Sequence, residues 1–227
     1  MNKKIAMRTK SVLFDCLIAT IFFLLLTALT SQTALAGTPG AYYVIGANNN
    51  GSSTYYGVTG YQTTVSVYVT NPQSSMYSFV TLIKQTPFQQ FAIGTLQGRD
   101  PGGVWQSTPV YYVDRVLNGV LGYWQYGQAP IGQNHYYYVF CDGTGSIISA
   151  SIDGVIKRTE SGYATGGKQA SGQTEAHNTD DVMNHHFWGM QYRPVESRWF
   201  SFYNTLFYQD SPFHYNSISN TEWYAYK

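Results

Sequence analysis

Along most of the chain, apolar and polar residues alternate with the period of two that marks strands with one buried face. Thr63–Thr70 reads TTVSVYVT and is rich in β-branched residues. Comparable runs follow at Tyr77–Lys84, Phe88–Leu96, Val110–Val116, Leu121–Tyr126, His135–Cys141, Ser146–Ile152 and Gly154–Thr159. Four more are Lys168–His177, His185–Tyr192, Trp199–Phe207 and Glu222–Tyr226. Turn dipeptides separate them: Asn71-Pro72, Asp100-Pro101, Asn118-Gly119, Asp142-Gly143 and Asp153-Gly154. Asn-Gly and Asp-Gly tolerate the positive φ of two-residue hairpin turns, so Asn118-Gly119 and Asp153-Gly154 predict two hairpins. A dozen short strands between turns predict an all-β sandwich or barrel. The one helix-like stretch, Asp180–Phe187, is short and rich in His.

The first 36 residues break this pattern. Lys3, Lys4, Arg8 and Lys10 precede the apolar run Leu17–Leu29, which is short for a membrane span and leads to Ala34-Leu35-Ala36. Basic, apolar and small-x-small segments in that order read as a secretory signal peptide, with an uncleaved anchor as the alternative. The expected organisation is a signal peptide over 1–36, a flexible lead over 37–54 and a β-sandwich domain over 55–227. The expected location is secreted or extracytoplasmic, without stable membrane association after cleavage.

Composition then narrows the chemistry. Of 13 basic and 12 acidic residues, the leader takes four and one, leaving 9 and 11. A mature chain of about −2 charge has no basic stripe to track phosphates, so nucleic acid is not an expected partner. One of the two cysteines leaves with the leader, and Cys141, after a Tyr-rich strand, reads as a small buried hydrophobe. GYATGGK at 162–168 spells G-x-x-x-x-G-K, but Gln169 stands where the Mg²⁺-binding hydroxyl belongs. His177, Asp180, Asp181, His185 and His186 fall close together but match no closed zinc spacing, so no metal and no cofactor are expected. Twenty-one Tyr supply aromatic rings for sheet faces, among them Tyr111, Tyr112, Tyr123, Trp124, Tyr126 and Tyr136–Tyr138. Rings with polar tips suit sandwich cores, and also peptide grooves or sugar stacking.

Two polar residues stand out in strands. Glu175 lies inside GKQASGQTEAHN, where a carboxylate must be paired, solvated or functional. Gln97 ends the strand FAIGTLQG. A carboxylate can take a proton from water, and an amide N–H can donate to the oxyanion that forms on a scissile carbonyl.

Several stretches resemble, in the same order, the neprosin and eqolisin glutamic peptidases. They are YYGVTGYQTTVSVYVTNP (55–72), FAIGTLQG (91–98), PVYYVDRVLNG (109–119), ASGQTEAHN (170–178) and DDVMNHHF (180–187). The resemblance implies a curved, antiparallel two-sheet sandwich of concanavalin-like or jelly-roll-like form, with a substrate groove on the concave sheet. It also implies a secreted endopeptidase active at acid pH, with Gln97 stabilising the oxyanion and Glu175 activating water. Groove candidates are Tyr112, Asp114, Trp124, Tyr126, Gln173 and His177, and the partner is a polypeptide substrate. The other class is a non-catalytic sandwich that binds glycans or peptides on an aromatic concave face. N-terminal sequencing of exported protein is expected to begin at Gly37; a mature chain that retains Met1–Ala36 removes the leader assignment.

Overall fold

A computed structural model describes residues 41–48, 54–84, 87–142, 144, 146–163, 168–194 and 198–227. The leader and most of the GYATGGK stretch lie outside them. The described chain is all-β. Its strands are β1 (Tyr42–Ala47), β2 (Gly57–Thr63), β3 (Ser75–Lys84), β4 (Gln89–Arg99) and β5 (Trp105–Leu117). Next come β6 (Val120–Gln128), β7 (Asn134–Cys141), β8 (Ile147–Ile152), β9 (Val155–Ser161) and β10 (Lys168–Ala176). The last five are β11 (Asn184–Arg193), β12 (Phe200–Ser201), β13 (Leu206–Gln209), β14 (His214–Ser219) and β15 (Glu222–Tyr226).

They form two antiparallel sheets. The first has seven strands in the order β13-β1-β10-β3-β4-β5-β6. The second runs β14-β15-β11-β2-β7-β8-β9, with β12 added against β11. This is the antiparallel two-sheet sandwich that the alternation and the resemblance predict. Both predicted hairpins are present. Leu117 pairs with Val120 and Ile152 with Val155. Their turns carry positive φ at Asn118 (52°), Gly119 (76°), Asp153 (52°) and Gly154 (79°).

Three expectations change. Thr63–Thr70 is not a strand: β2 ends at Thr63, and the following residues cross from one sheet to the other. Polar contacts hold that crossing, with Thr64 N–H on the Gln133 carbonyl (2.8 Å), Val67 N–H on Gln97 Oε1 (2.9 Å) and Thr70 N–H on Asp181 Oδ1 (2.9 Å). Tyr42–Ala47, expected within a flexible lead, is β1 and pairs on both sides. Trp199–Phe207, expected as one strand, is divided between β12 and β13, whereas Asp180–Phe187 is non-helical, as the all-β reading requires, and a bridge between Tyr68 and Val182 leads into β11.

The core lies between the sheets. Val58, Tyr137, Val139, Cys141, Ile148 and Phe187 from the second sheet meet Val80, Leu82, Phe91, Ile93 and Val113 from the first. Trp223 of β15 is its largest fully buried side chain. The indole lies directly over the backbones of Gly46 and Gly172, which pair with each other across β1 and β10. A Cβ on Gly46 would sit 2.5 Å from the ring, and one on Gly172 would sit 2.9 Å from it. Only glycine lets the sheets approach this closely here. Gly46→Ala is therefore expected to destabilise the fold by about 1–3 kcal/mol, as overpacking does. Adding Trp223→Phe should recover part of the loss in urea unfolding; strict additivity of the two changes would contradict the contact.

Candidate active site

Residues directly opposite in an antiparallel pair share a face, and every second residue returns to it. Glu175 on β10 stands opposite Tyr77 on β3, which stands opposite Leu96 on β4 and, through it, Val110 on β5. Two residues along, the row reads Gln173, Phe79, Gly94, Tyr112 and Gln125. Two further along, it reads Ser171, Thr81, Ala92, Asp114 and Tyr123. The intervening positions, Val80, Leu82, Phe91, Ile93 and Val113, belong to the core between the sheets. Glu175, Gln173, Tyr112 and Asp114 therefore line the other, concave face, around an apolar patch of Tyr77, Phe79, Ala92, Leu96, Val110 and Tyr112.

Glu175 is 8% exposed. Its Oε1 lies 2.6 Å from His177 Nε2, and His177 Nδ1 lies 3.0 Å from Ser75 Oγ. His177 follows the last residue of β10, and its backbone N–H bonds the Ser75 carbonyl (3.0 Å), which folds the imidazole back over the strand. An ionised carboxylate only accepts, so Glu175 accepts a hydrogen bond from the Nε2–H of His177. This chain fixes the carboxylate's orientation. Tyr77, directly opposite, has Ser75 as a further hydrogen-bond partner. Burial first, then the charges of Glu175 and Asp114, raise the phenol well above its ordinary range, although Ser75 opposes this. Tyr77 is accordingly a proton-bearing donor at any working pH.

Asp114 is half-buried, and Gln90 Nε2 reaches its Oδ1 at 3.5 Å. Burial, and after it the charge of Glu175, pushes the carboxyl up to about 8, against a small opposing effect from Gln90.

Other expected site residues are not brought here. Gln97 pairs with Met76, a residue of the core between the sheets, and so faces away from Glu175. Its Oε1 accepts from Val67 N–H (2.9 Å) and its Nε2 donates to the Ser107 carbonyl (3.0 Å). A bulge between Leu96 and Gly98 marks the point at which β4 departs from β5. Gln97 therefore anchors the β2–β3 crossing, and Leu96 takes the groove position in line with Glu175. Trp124 pairs with Val113 and, like Tyr126, packs against the core. The Arg158 guanidinium lies 3.8 Å from the centroid of Trp124. The histidine cluster disperses: Asp181 binds Thr70 and Ser74, His185 is buried and held neutral down to about 3 by desolvation, and His186 stacks on Tyr224 at 4.1 Å. Among the described residues, no group of three or more His, Cys, Asp or Glu could hold a metal ion. Ser75 and Tyr77 were not singled out from sequence. Ser75 lies between the Asn71-Pro72 turn and the run that starts at Tyr77, and Tyr77 is one aromatic among many.

Neither a protein-family model nor a curated protein matches the chain. Solved structures do. One is similar to this chain with a TM-score of 0.60 at 10% identity, over 82% of this chain and 98% of its own: scytalido-glutamic peptidase with a transition-state-analogue inhibitor. The same peptidase with a peptide-based transition-state analogue has a TM-score of 0.57 at 9% identity, over 82% and 97%. SCP-B, a member of the eqolisin family of peptidases in complex with the tripeptide Ala-Ile-His, has a TM-score of 0.54 at 11% identity, over 82% and 97%. The likeness is one of fold.

Asp114 makes stability fall with pH. Between the ordinary aspartate value near 4 and its own near 8, the folded chain holds a proton that the unfolded chain has released. Its contribution is complete below the unfolded value and is lost as pH rises through the folded one. Relative to wild type, Asp114→Asn should gain stability steadily from about pH 4 to about 8 and level off above. Urea-unfolding profiles that stay parallel would show that Asp114 titrates normally.

Proposed function

We propose that the chain is a secreted endopeptidase of glutamic type, active at acid pH, that binds a polypeptide along the concave face of the seven-stranded sheet. The observation that carries this reading is Glu175, presented on that face opposite Tyr77 and held by His177 at 2.6 Å. The fold shared with scytalido-glutamic peptidase, solved with two transition-state analogues, and with the eqolisin SCP-B supports it. The neprosin side of the resemblance remains part of the proposal.

Glu175 is the general base. It takes a proton from a water that attacks the scissile carbonyl, and the carbonyl oxygen gathers negative charge. Tyr77, whose phenol keeps its proton, donates to that oxyanion in place of Gln97. The new carboxyl of Glu175 then returns the proton to the leaving amine, so protons balance over the cycle. Ser75 and His177 orient the base.

Release of acid-soluble peptides from casein tests the reading. Glu175→Gln should lose roughly 10²–10⁴-fold in kcat, and Tyr77→Phe roughly 10²–10³-fold. Gln97→Ala should lower the melting temperature and leave kcat within a few-fold, because it loosens the β2–β3 crossing. Wild-type rates in folded Glu175→Gln protein sink the peptidase reading. A folded Gln97→Ala protein without activity would restore the Gln97/Glu175 dyad and overturn the role of Tyr77.

A further inference from the structure

The proposed hydrolysis leaves three polar groups of the groove unused. Asp114 lies opposite Tyr123, and Tyr112 lies two residues from Asp114 on the same face. The rings of Tyr112 and Tyr123 stack, with centroids 6.0 Å apart and planes 24° apart. Neither phenol hydroxyl has a hydrogen-bond partner, although Tyr112 is 0% exposed. A buried hydroxyl left unpaired is a cost that a bound group can relieve. Asp114 has the long Gln90 contact and no cation beside it. Its neighbour Arg115 turns to the opposite face, where it reaches Glu160 (2.5 Å). Among the described residues, no Lys or Arg occupies a groove-face position on β10, β3, β4, β5 or β6. The titratable groups whose charges interact with that of Asp114 are Glu175, Tyr77, Tyr112, Tyr123 and Tyr163, and each is an acid.

We propose that Asp114, Tyr112 and Tyr123 form a subsite for a lysine side chain of the peptide substrate. This rests on the reading of the groove as a peptide site and names the class of peptide that it takes. An ammonium has three N–H donors, and the row brings three acceptor groups to one face: the Asp114 carboxylate and the phenol oxygens of Tyr112 and Tyr123. The stacked rings add the attraction of their π faces for a cation. A metal ion is a poor alternative, because the subsite brings together one carboxylate and no histidine. Without a ligand, Asp114 keeps its proton up to about 8. An entering ammonium takes the proton's place, so binding at mildly acid pH releases a proton to solvent.

The test uses one neutral host peptide in which each position carries, in turn, lysine or norleucine, its uncharged near-isostere. At one register, wild type should prefer lysine by roughly 10²-fold in kcat/KM, as a buried charge pair lost on one side does. The ratio should fall toward one in Asp114→Asn. Tyr123→Phe, which keeps the ring, should lower it by a smaller factor. Calorimetry of the same peptides on Glu175→Gln protein near pH 6, in buffers of different ionisation heat, should show proton release with lysine and none with norleucine. Cleavage without lysine preference at any register overturns the subsite and leaves the Glu175 assignment standing. Lysine-selective binding without cleavage keeps the subsite and removes the peptidase reading. Lysine preference that survives Asp114→Asn overturns the subsite, and the absence of both cleavage and selective binding overturns both.

Discussion

The face parity of the seven-stranded sheet is the constraint on which every functional assignment depends. In an antiparallel ladder each residue faces either the partner sheet or the groove, and a shift of one position exchanges the two. The register is pinned from the core side. Trp223 lies on Gly46 and Gly172, so β10 meets the second sheet through its glycine and alanine positions. That contact commits Glu175 and Gln173 to the groove. The β3–β4 ladder carries the same parity outward, placing Tyr77 and Leu96 in the groove and Met76 and Gln97 against the crossing segment.

The two faces of this sheet follow different chemical rules. Toward the partner sheet, polar side chains are held in local hydrogen bonds, as with Gln97 between Val67 and Ser107, or Ser78 on Gln62 Oε1 (3.0 Å). Basic residues are neutralised at the sandwich edge, where Arg115 and Arg158 share Glu160 above Trp124. The groove face has acids and phenols and no Lys or Arg among its described positions. Burial there raises Asp114 and the phenols together, because each ionised form would be poorly solvated and repelled by the others. A face of this kind favours bound groups that bring hydrogen-bond donors or positive charge.

Glu175 is distinguished from Asp114 by its contacts. Both carboxyls lie on one curved surface, but Glu175 has an imidazole at 2.6 Å, itself held by a serine, whereas Asp114 has one amide at 3.5 Å. A carboxylate that accepts from a fixed donor is suited to a base of defined orientation. A carboxyl that stays protonated among phenols is suited to recognition.

The sequence by itself determined most of the strands, both hairpins and the all-β class. These depend on local signals: period-two alternation, and residues such as Asn118 and Asp153 that accept positive φ. It also marked Glu175 as a carboxylate inside a strand, while Gln173, His177, Tyr112 and Asp114 were groove candidates alongside the glutamic-peptidase resemblance. It did not determine which of two adjacent residues faces the groove. Leu96 and Gln97 sit at the end of one strand, and alternation alone fits either orientation. Pairing with Met76 and Tyr77, itself set by packing against the second sheet, decided between them. Nor did the sequence show that Thr64–Thr70 leaves the sheet, since its β-branched pattern reads as a strand until the contacts to Gln133, Gln97 and Asp181 are seen. Ser75 and His177 stand 102 residues apart, and their hydrogen bond exists only because β10 pairs with β3. Local propensity is written in neighbouring residues, whereas the groove is written in partners that only the ladder brings together.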